Sequence, residues 1–592
     1  MKKLLSGDEA LARGAWEAGL VFAAAYPGTP STEILETLAA YPDVEAEWAV
    51  NEKTALESVI GASMAGARSL ASMKHVGVNV AADPLMTFSY MGVNGGSIVV
   101  SCDEPGMFSS QNEQDNRNYA SMAKIPMLEP ADSQDAYQMA KEAFALSEKY
   151  NVVFFLRLVT RVCHGKSLVE TGERLHIPFK EWAPDPLKYV ALPAHSRILR
   201  VRMEERTKAL QEASEHSPFN RKEEGKEKEV GIIASGPSYW YAKEFFGEGP
   251  SYLRLGFTNP LPENLIRSFC QGKKEIYIVE EDDPYIETFV RSLGISCHGK
   301  DIFPAYGEMT PDVLRLSLTG TSLPAPSPDI SKLIGRPPTL CAGCPHRGLF
   351  YRLGKRKNIM ISGDIGCYTL AAGAPYKAMN TCVCMGASIS VGHGAQKIFH
   401  KKGSSTRVVT VLGDSTFFHT GINSLINTVY NGSPTVNIIL DNRITGMTGH
   451  QDNPGTGFKA NGEQTTLISI EELVRAIGVR HVFTVDPNDL AAVDRALDAC
   501  LALDEPSVII TRYPCALKKF SEDDRKEFSE LFTAKVRVRA EGCIGCRKCQ
   551  KTGCPALLYD EASKKVAIDP ASCRGCQVCA QVCPVGAIER ED

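Results

Sequence analysis

The stretch Arg407-Val-Val-Thr-Val-Leu-Gly-Asp414-Ser415, with its sequel Thr435-Val-Asn-Ile-Ile-Leu-Asp441-Asn442-Arg-Ile444, decides the fold. Each half is a short apolar, β-branched run of the kind buried on both faces of a parallel sheet, and each ends in oxygen-bearing side chains. Sites in such sheets lie beyond the carboxyl ends of the strands, so Gly413, Asp414, Ser415 and Asn442 sit where ligands bind. Asn442 follows Asp414 by 28 positions, enough for one helix and a return strand. Both side chains can then meet at one hard cation, and oxygen ligands of this type suit Mg²⁺ holding a diphosphate. A Gly-Asp pair alone is weak, because the same pair also serves as a helix N-cap.

The pattern repeats outward. Ser97 to Ser101, Asn151 to Arg157, Glu229 to Gly236, Glu275 to Glu280 and Pro506 to Thr511 read as further strands, and Thr54 to Ala67 as a helix of small and apolar residues. Two composition breaks read as linkers: the charged run Arg221 to Glu229, and the proline-rich Leu323 to Pro328 with Arg336-Pro-Pro338 after it. The expected class is α/β, multidomain, with domains at 1–165, 230–322, 341–532 and 533–592, joined by a connecting segment at 166–229 and a linker at 323–340.

The last domain is read from cysteines. Cys543-x-x-Cys546-x-x-Cys549 with Cys554-Pro, and Cys573-x-x-Cys576-x-x-Cys579 with Cys583-Pro, form the doubled ligand pattern of a two-cluster iron–sulfur ferredoxin. Structural zinc uses pairs rather than triples, and a disulfide framework belongs to secreted chains. In this arrangement the Cys-Pro cysteine of each run ligates the other cluster. One [4Fe–4S] is therefore expected on Cys543, Cys546, Cys549 and Cys583, the other on Cys573, Cys576, Cys579 and Cys554.

With 592 residues, 65 basic and 70 acidic side chains, the chain carries a net charge of only -5 and a length that calls for several cores. No global field favours nucleic acid or a membrane surface. The start, Met1-Lys-Lys-Leu-Leu-Ser-Gly-Asp-Glu9, puts acids where a signal peptide needs an apolar core, and no run approaches the roughly 20 apolar residues of a membrane span. A cytoplasmic protein is expected, with its 19 cysteines as thiols or metal ligands and its clusters suited to anaerobic conditions.

Gly413-Asp414-Ser415 followed by a strand and Asp441-Asn442 resembles the thiamine-diphosphate motif as it occurs in 2-oxoacid:ferredoxin oxidoreductases. Tyr26-Pro-Gly-Thr29-Pro-Ser-Thr32 is similar to their substrate-side loop, and Asn51-Glu52 with Ala62 to Ala67 to their pyrimidine-binding segment. Together with Cys341-Ala-Gly-Cys344-Pro-His346-Arg347 and the ferredoxin tail, the whole chain resembles the α subunits of the indolepyruvate ferredoxin oxidoreductases. The resemblance implies a pyrimidine domain, a transketolase-C-like domain, a diphosphate domain and the ferredoxin domain, in that order.

It also implies roles. Asp414, Asn442 and the backbone of Ile444 would hold Mg²⁺ on thiamine diphosphate, Glu52 would serve the aminopyrimidine, Arg117 the substrate carboxylate and Thr29 its carbonyl; His346 is a candidate cofactor contact. For His75 an ordinary buried or loop histidine is the better reading, and Phe417 and Phe418 read as core. Cys341, Cys344, Cys367 and Cys515 are candidates for a third [4Fe–4S], with Cys382 and Cys384 as competitors. The implied reaction converts an aryl 2-oxoacid and coenzyme A to acyl-CoA, CO₂ and two electrons, the electrons leaving to a soluble ferredoxin, with a β subunit completing a hetero-oligomer. The alternatives are a non-oxidative thiamine decarboxylase and an electron-carrier subunit whose α/β domains only scaffold partners.

Overall fold

The computed structural model describes residues 1–322, 331, 337–528 and 535–591. These fall into two compact units, Met1–Ile330 and Ser331–Asp592. The proline-rich linker expected at 323–340 lies outside the described residues except at Ser331 and 337–340. Among the described residues no helix is long and apolar enough to cross a membrane.

The first unit is built on a seven-stranded sheet. In spatial order its strands are Phe257–Asn259, Met127–Leu128, Phe154–Val159, Ser97–Asp103, Ser69–Lys74, Phe22–Ala25 and Glu45–Trp48. All pair in parallel except Phe257–Asn259, which comes from the following domain and runs antiparallel to Met127–Leu128. Alternation along the strands fills two cores. Ile98, Val100, Phe154 and Leu156 pack on one face, while Val99 and Phe155 pack on the other with Ala71 and Leu56. A sheet covered by helices on both sides needs strands that are apolar throughout, which is why these strands can be read from the sequence. Each large side chain fully buried this way contributes roughly 1.5–3 kcal/mol.

The second domain of this unit has a four-stranded sheet ordered Glu275–Val279, Glu227–Ser235, Pro250–Leu255 and Arg221–Glu223. The charged run at 221–229 thus corrects the linker expectation: Arg221–Glu223 is an antiparallel edge strand and Glu227 opens the next one. Solvent-facing charge is what an edge strand tolerates, so its composition resembles a linker's.

Two buried arginines join the two domains of the first unit. The Arg157 guanidinium donates to Asp103 (2.6 Å), Glu129 (2.9 Å) and Asp282 (2.6 Å). Arg117 donates to both oxygens of Asp115, to Glu280 (2.6 Å) and to the carbonyls of Glu281 and Asp283. Asp115, Glu280 and Arg117 are all essentially inaccessible. Burial opposes the Arg117 charge, but Asp115 and Glu280 outweigh it and hold the guanidinium above its ordinary range.

The second unit carries a five-stranded parallel sheet ordered Ile359–Ser362, Arg407–Gly413, Val436–Asp441, Ser507–Arg512 and His481–Val485. Val409, Val411 and Ile438 face one core, Leu412, Ile439 and Ile510 the other, where Phe417 and Phe418 also lie. After it come two antiparallel ribbons, Lys535–Val538 with Ile588–Glu591 and Leu557–Asp560 with Lys565–Ile568, which frame the cysteine-rich tail. The tail docks on the sheet domain: the Gln581 amide donates to the Asn488 carbonyl (2.7 Å) and accepts from Leu490 N–H (3.0 Å). Gly553, at φ 68°, lets the tail approach so closely that a Cβ there would stand 2.8 Å from the Tyr376 hydroxyl.

Removing one partner of a buried charge cluster strands the others. Arg157→Met is therefore expected to destabilise the first unit by about 3–5 kcal/mol, read as a lowered urea midpoint; an unchanged midpoint would show that the carboxylates do not need the arginine.

Candidate functional site

In the first unit the parallel strands deliver their following residues to one edge. Phe22–Ala25 leads into the Tyr26 to Thr32 loop, Glu45–Trp48 into Asn51-Glu52, and Ser69–Lys74 into the helix His75–Val80. The loop is cross-braced, with Gly28 N–H donating to Thr32 Oγ1 (3.1 Å) and Ser31 Oγ to the Gly28 carbonyl (2.8 Å), and Thr29 is half-buried within it. Asn51 caps the helix Glu52–Met64 by accepting from Thr54 N–H (2.9 Å), which places Glu52 in the first turn, where the helix dipole favours a carboxylate.

Glu52 is buried, and the room for it is made by Gly77. A Cβ on Gly77 would lie 2.8 Å from both Glu52 Cγ and Oε1. Lys74 packs against Gly28, whose added Cβ would meet its Cγ and Cδ at 3.2 Å. Burial pulls the Lys74 ammonium below its ordinary value while Glu104 and Glu52 pull it back, so the lysine belongs to the same pocket as Glu52 and the Thr29 loop. Neither Gly77 nor Lys74 carries a sequence signal beyond its place after a strand. His75 is fully buried, with Nε2 against the Asn112 carbonyl (3.1 Å) and side-chain oxygen (3.2 Å) and Nδ1 without a partner among the described residues.

Arg117 corrects the expectation that it holds a substrate carboxylate. Its side chain is inaccessible and each of its three nitrogens already donates, to Asp115, Glu280 or the two carbonyls, so no open face of the guanidinium is presented to a ligand.

In the second unit Arg407–Gly413 passes without a loop into Asp414. Asp414 accepts from Ser415 N–H (2.7 Å) and Ile444 N–H (3.2 Å), and Asn442 Oδ1 also accepts from Ile444 N–H (3.3 Å). Asp414, Asn442 and Ile444 are thus one cluster, with Ser415 and Gly413 at its base. The Tyr368 hydroxyl accepts from Gly413 N–H (2.9 Å) and donates to the Ile365 carbonyl (2.7 Å), tying the Gly413 to Ser415 loop to the Gly363 to Cys367 segment. The His346 ring stands edge-on to Tyr368 at 6.1 Å, and burial lowers its pKa to about 4, so it is a neutral imidazole. Burial, then the neighbouring charge of Asp441, pushes the Asp414 carboxyl up to about 8. A carboxylate so disfavoured by itself fits a divalent cation, which supplies the missing countercharge.

Cys341, Cys344, Cys367 and Cys515 converge beside this loop. Cys515 N–H donates to the Asn442 carbonyl (3.0 Å), a backbone bond that closes the turn Tyr513 to Cys515 against the loop after Asp441. Burial, then Cys515 and Cys367, raise the Cys344 thiol, and burial, then Cys515 and Cys341, push Cys367 up to about 11. Cys515 is raised by burial, with Cys341 among the neighbours that add to it. The four thiols therefore lie within electrostatic reach of one another. Cys382 and Cys384, the competing thiols, are raised by burial and by Asp364, with Cys384 acting on Cys382.

In the tail, one hollow is lined by Cys543, Cys546, Cys549 and Cys583. A second is lined by Cys573, Cys576, Cys579 and Cys554. Each hollow takes its fourth cysteine from the other run. Gly343, between Cys341 and Cys344, lines the second hollow.

The thiamine pyrophosphate enzyme C-terminal TPP binding domain matches residues 364–511, the pyruvate flavodoxin/ferredoxin oxidoreductase thiamine diphosphate-binding domain matches 13–178, and a 4Fe-4S dicluster domain matches 535–588. These define the class: an oxidoreductase that uses thiamine diphosphate and iron–sulfur clusters. The chain is 41% identical to the indolepyruvate oxidoreductase subunit IorA of Archaeoglobus fulgidus over 99% of its own length and 97% of that protein. It is 39% identical to the Pyrococcus horikoshii subunit of the same name, over 100% of this chain and 97% of that one. Among solved structures, a 2-oxoglutarate:ferredoxin oxidoreductase from Magnetococcus marinus aligns with a TM-score of 0.43 at 17% identity, covering 53% of this chain and 64% of that one. The chain belongs to the indolepyruvate oxidoreductase subunit IorA family.

Asp414→Asn is expected to have opposite effects on stability and binding. In the metal-free chain the carboxyl rises from 3.8 to about 8, so between those pH values the folded state holds a proton that the unfolded chain has released, and stability falls as pH rises through that window. The asparagine variant should lose this pH slope and melt higher at pH 8 without metal, yet gain nothing from Mg²⁺ and thiamine diphosphate in a thermal scan. An unchanged cofactor-induced shift would remove Asp414 from the site.

Proposed function

We propose that this chain is the catalytic subunit of an oxidoreductase that decarboxylates aryl 2-oxoacids such as indolepyruvate and phenylpyruvate, with coenzyme A as acyl acceptor and ferredoxin as electron acceptor. The observation that carries the reading is the succession within the second unit: a buried carboxylate at a strand end, four thiols beside it, and two four-cysteine hollows beyond. Bound thiamine diphosphate supplies an electron sink for the carbon that loses CO₂.

The chain's own residues then have distinct tasks. Asp414, Asn442 and the backbone of Ile444 would hold Mg²⁺ for the diphosphate, with Gly413, Ser415 and the neutral His346 as further cofactor contacts. Glu52, seated by Gly77, would hydrogen-bond the aminopyrimidine of the cofactor, and Thr29 would hydrogen-bond the substrate carbonyl. A partner subunit completes the enzyme, a reading supported by the word subunit in the relatives' names. Cys341, Cys344, Cys367 and Cys515 would hold a third [4Fe–4S] next to the Asp414 loop, and clusters in the two tail nests would supply the onward electron path. Arg547, Lys548, Lys551 and Arg574 are exposed around those nests, a cationic surface suited to an acidic ferredoxin.

A non-oxidative decarboxylase would release aldehyde without an acceptor. The test is an anaerobic panel of 2-oxoacids with coenzyme A and a viologen, run with the partner subunit. Indolepyruvate and phenylpyruvate are expected to exceed pyruvate in kcat/KM, and a pyruvate preference would move the chain to another substrate class. Glu52→Gln should bind the cofactor but lose activity by about a hundredfold or more; near-normal turnover would reject its role. Anaerobic iron analysis should give about twelve irons per chain rather than about eight, and a value near eight that does not change in Cys341→Ser would reject the third cluster.

A further inference from the structure

Arg347 is 1% exposed, yet among the described residues no carboxylate receives it. Its Nε donates to the Cys341 carbonyl (2.8 Å), and Nη1 donates to the Tyr376 hydroxyl (2.8 Å) and the Thr552 carbonyl (3.2 Å). Nη2 is buried without an acceptor among the described residues. Arg117 and Arg157, also deeply buried, are each met by carboxylates. A buried guanidinium served only by neutral oxygens is a net positive charge in a medium that penalises it heavily, so it calls for an anion.

The neighbours of Arg347 identify that anion. On one side its partner is Cys341, and its charge acts on Cys344. On the other it holds the Thr552 carbonyl, two residues before Cys554, and its charge acts on Cys576. Tyr376 fixes this position by donating to the same Thr552 carbonyl (2.7 Å). Gly343, four residues before Arg347, lines the hollow of the second tail nest. A cluster held by four thiolates is anionic, because the thiolate charge exceeds that of the iron–sulfide core, and net charge is one determinant of its reduction potential.

We propose that Arg347 is a positioning residue whose guanidinium is the shared countercharge of the iron–sulfur sites on either side of it, the Cys341, Cys344, Cys367 and Cys515 group and the Cys554, Cys573, Cys576 and Cys579 nest, and that it raises the reduction potential of both. One electron leaves the first site as that site is oxidised and enters the second as it is reduced; no bond in the chain is made or broken. The half of the inference that concerns the Cys341 group rests on the reading that this group holds a cluster, and the half that concerns the Cys573 nest does not.

The test is an EPR-monitored redox titration of the full chain, reconstituted anaerobically with iron and sulfide, with iron counted first. A count near eight would fail the Cys341 reading alone, and the arginine is then judged on the Cys573 nest. In Arg347→Gln the affected midpoints should fall by the equivalent of at least a tenfold change in the reduction equilibrium, about 59 mV for one electron, with the smallest change at the Cys543 nest. Arg347→Lys, which keeps the charge, should restore most of the shift. Loss of iron in the glutamine variant but not in the lysine variant supports the same role. Midpoints that do not move in Arg347→Gln, equal shifts in both variants, or loss of iron in both would overturn it.

Discussion

A charge buried in protein has to be met by an opposite charge, and this chain is organised around that constraint. Arg157 and Arg117 join the two domains of the first unit because Asp103, Asp115, Glu129, Glu280 and Asp282 surround them. Asp414 sits at the end of its strand under the opposite balance, with burial disfavouring its charge and Asp441 adding repulsion. The same physics therefore distinguishes a structural cluster, in which charges cancel within the chain, from a site that is completed by a ligand.

Backbone geometry decides where those charges collect. All five strands of the second unit run in parallel, so their carboxyl ends share one edge, and Asp414, Asn442 and Cys515 arrive there from three neighbouring strands. The first unit uses the same device for the Thr29 loop, Glu52 and Lys74. Glycine then sets the clearances: without Gly77 the Glu52 carboxylate has no room, and without Gly553 the tail cannot approach Tyr376.

Much of this is legible in the sequence for identifiable reasons. Strands covered on both faces read as unbroken apolar runs, and the cysteine spacing leads to the expectation that each tail nest takes its fourth cysteine from the other run, as the linings of the two hollows do. Arg117 is deceptive because a motif position says nothing about Asp115 and Glu280 closing around it. The charged run at 221–229 is deceptive because an edge strand and a linker have similar composition. Gly77, Lys74 and Arg347 escape a reading of the sequence because their significance lies in contacts between distant segments or in a donor left without an acceptor, and neither leaves a local pattern.

In the proposed reaction, electrons released at the thiamine site pass through the chain's cysteine nests, so no aldehyde leaves as product. The most direct measurement is freeze-quench EPR of the anaerobic holoenzyme after mixing with indolepyruvate and coenzyme A, with no external acceptor present. Reduced [4Fe–4S] signals are expected to appear with CO₂ release. Stoichiometric aldehyde formation with every cluster still oxidised would contradict the proposed electron path.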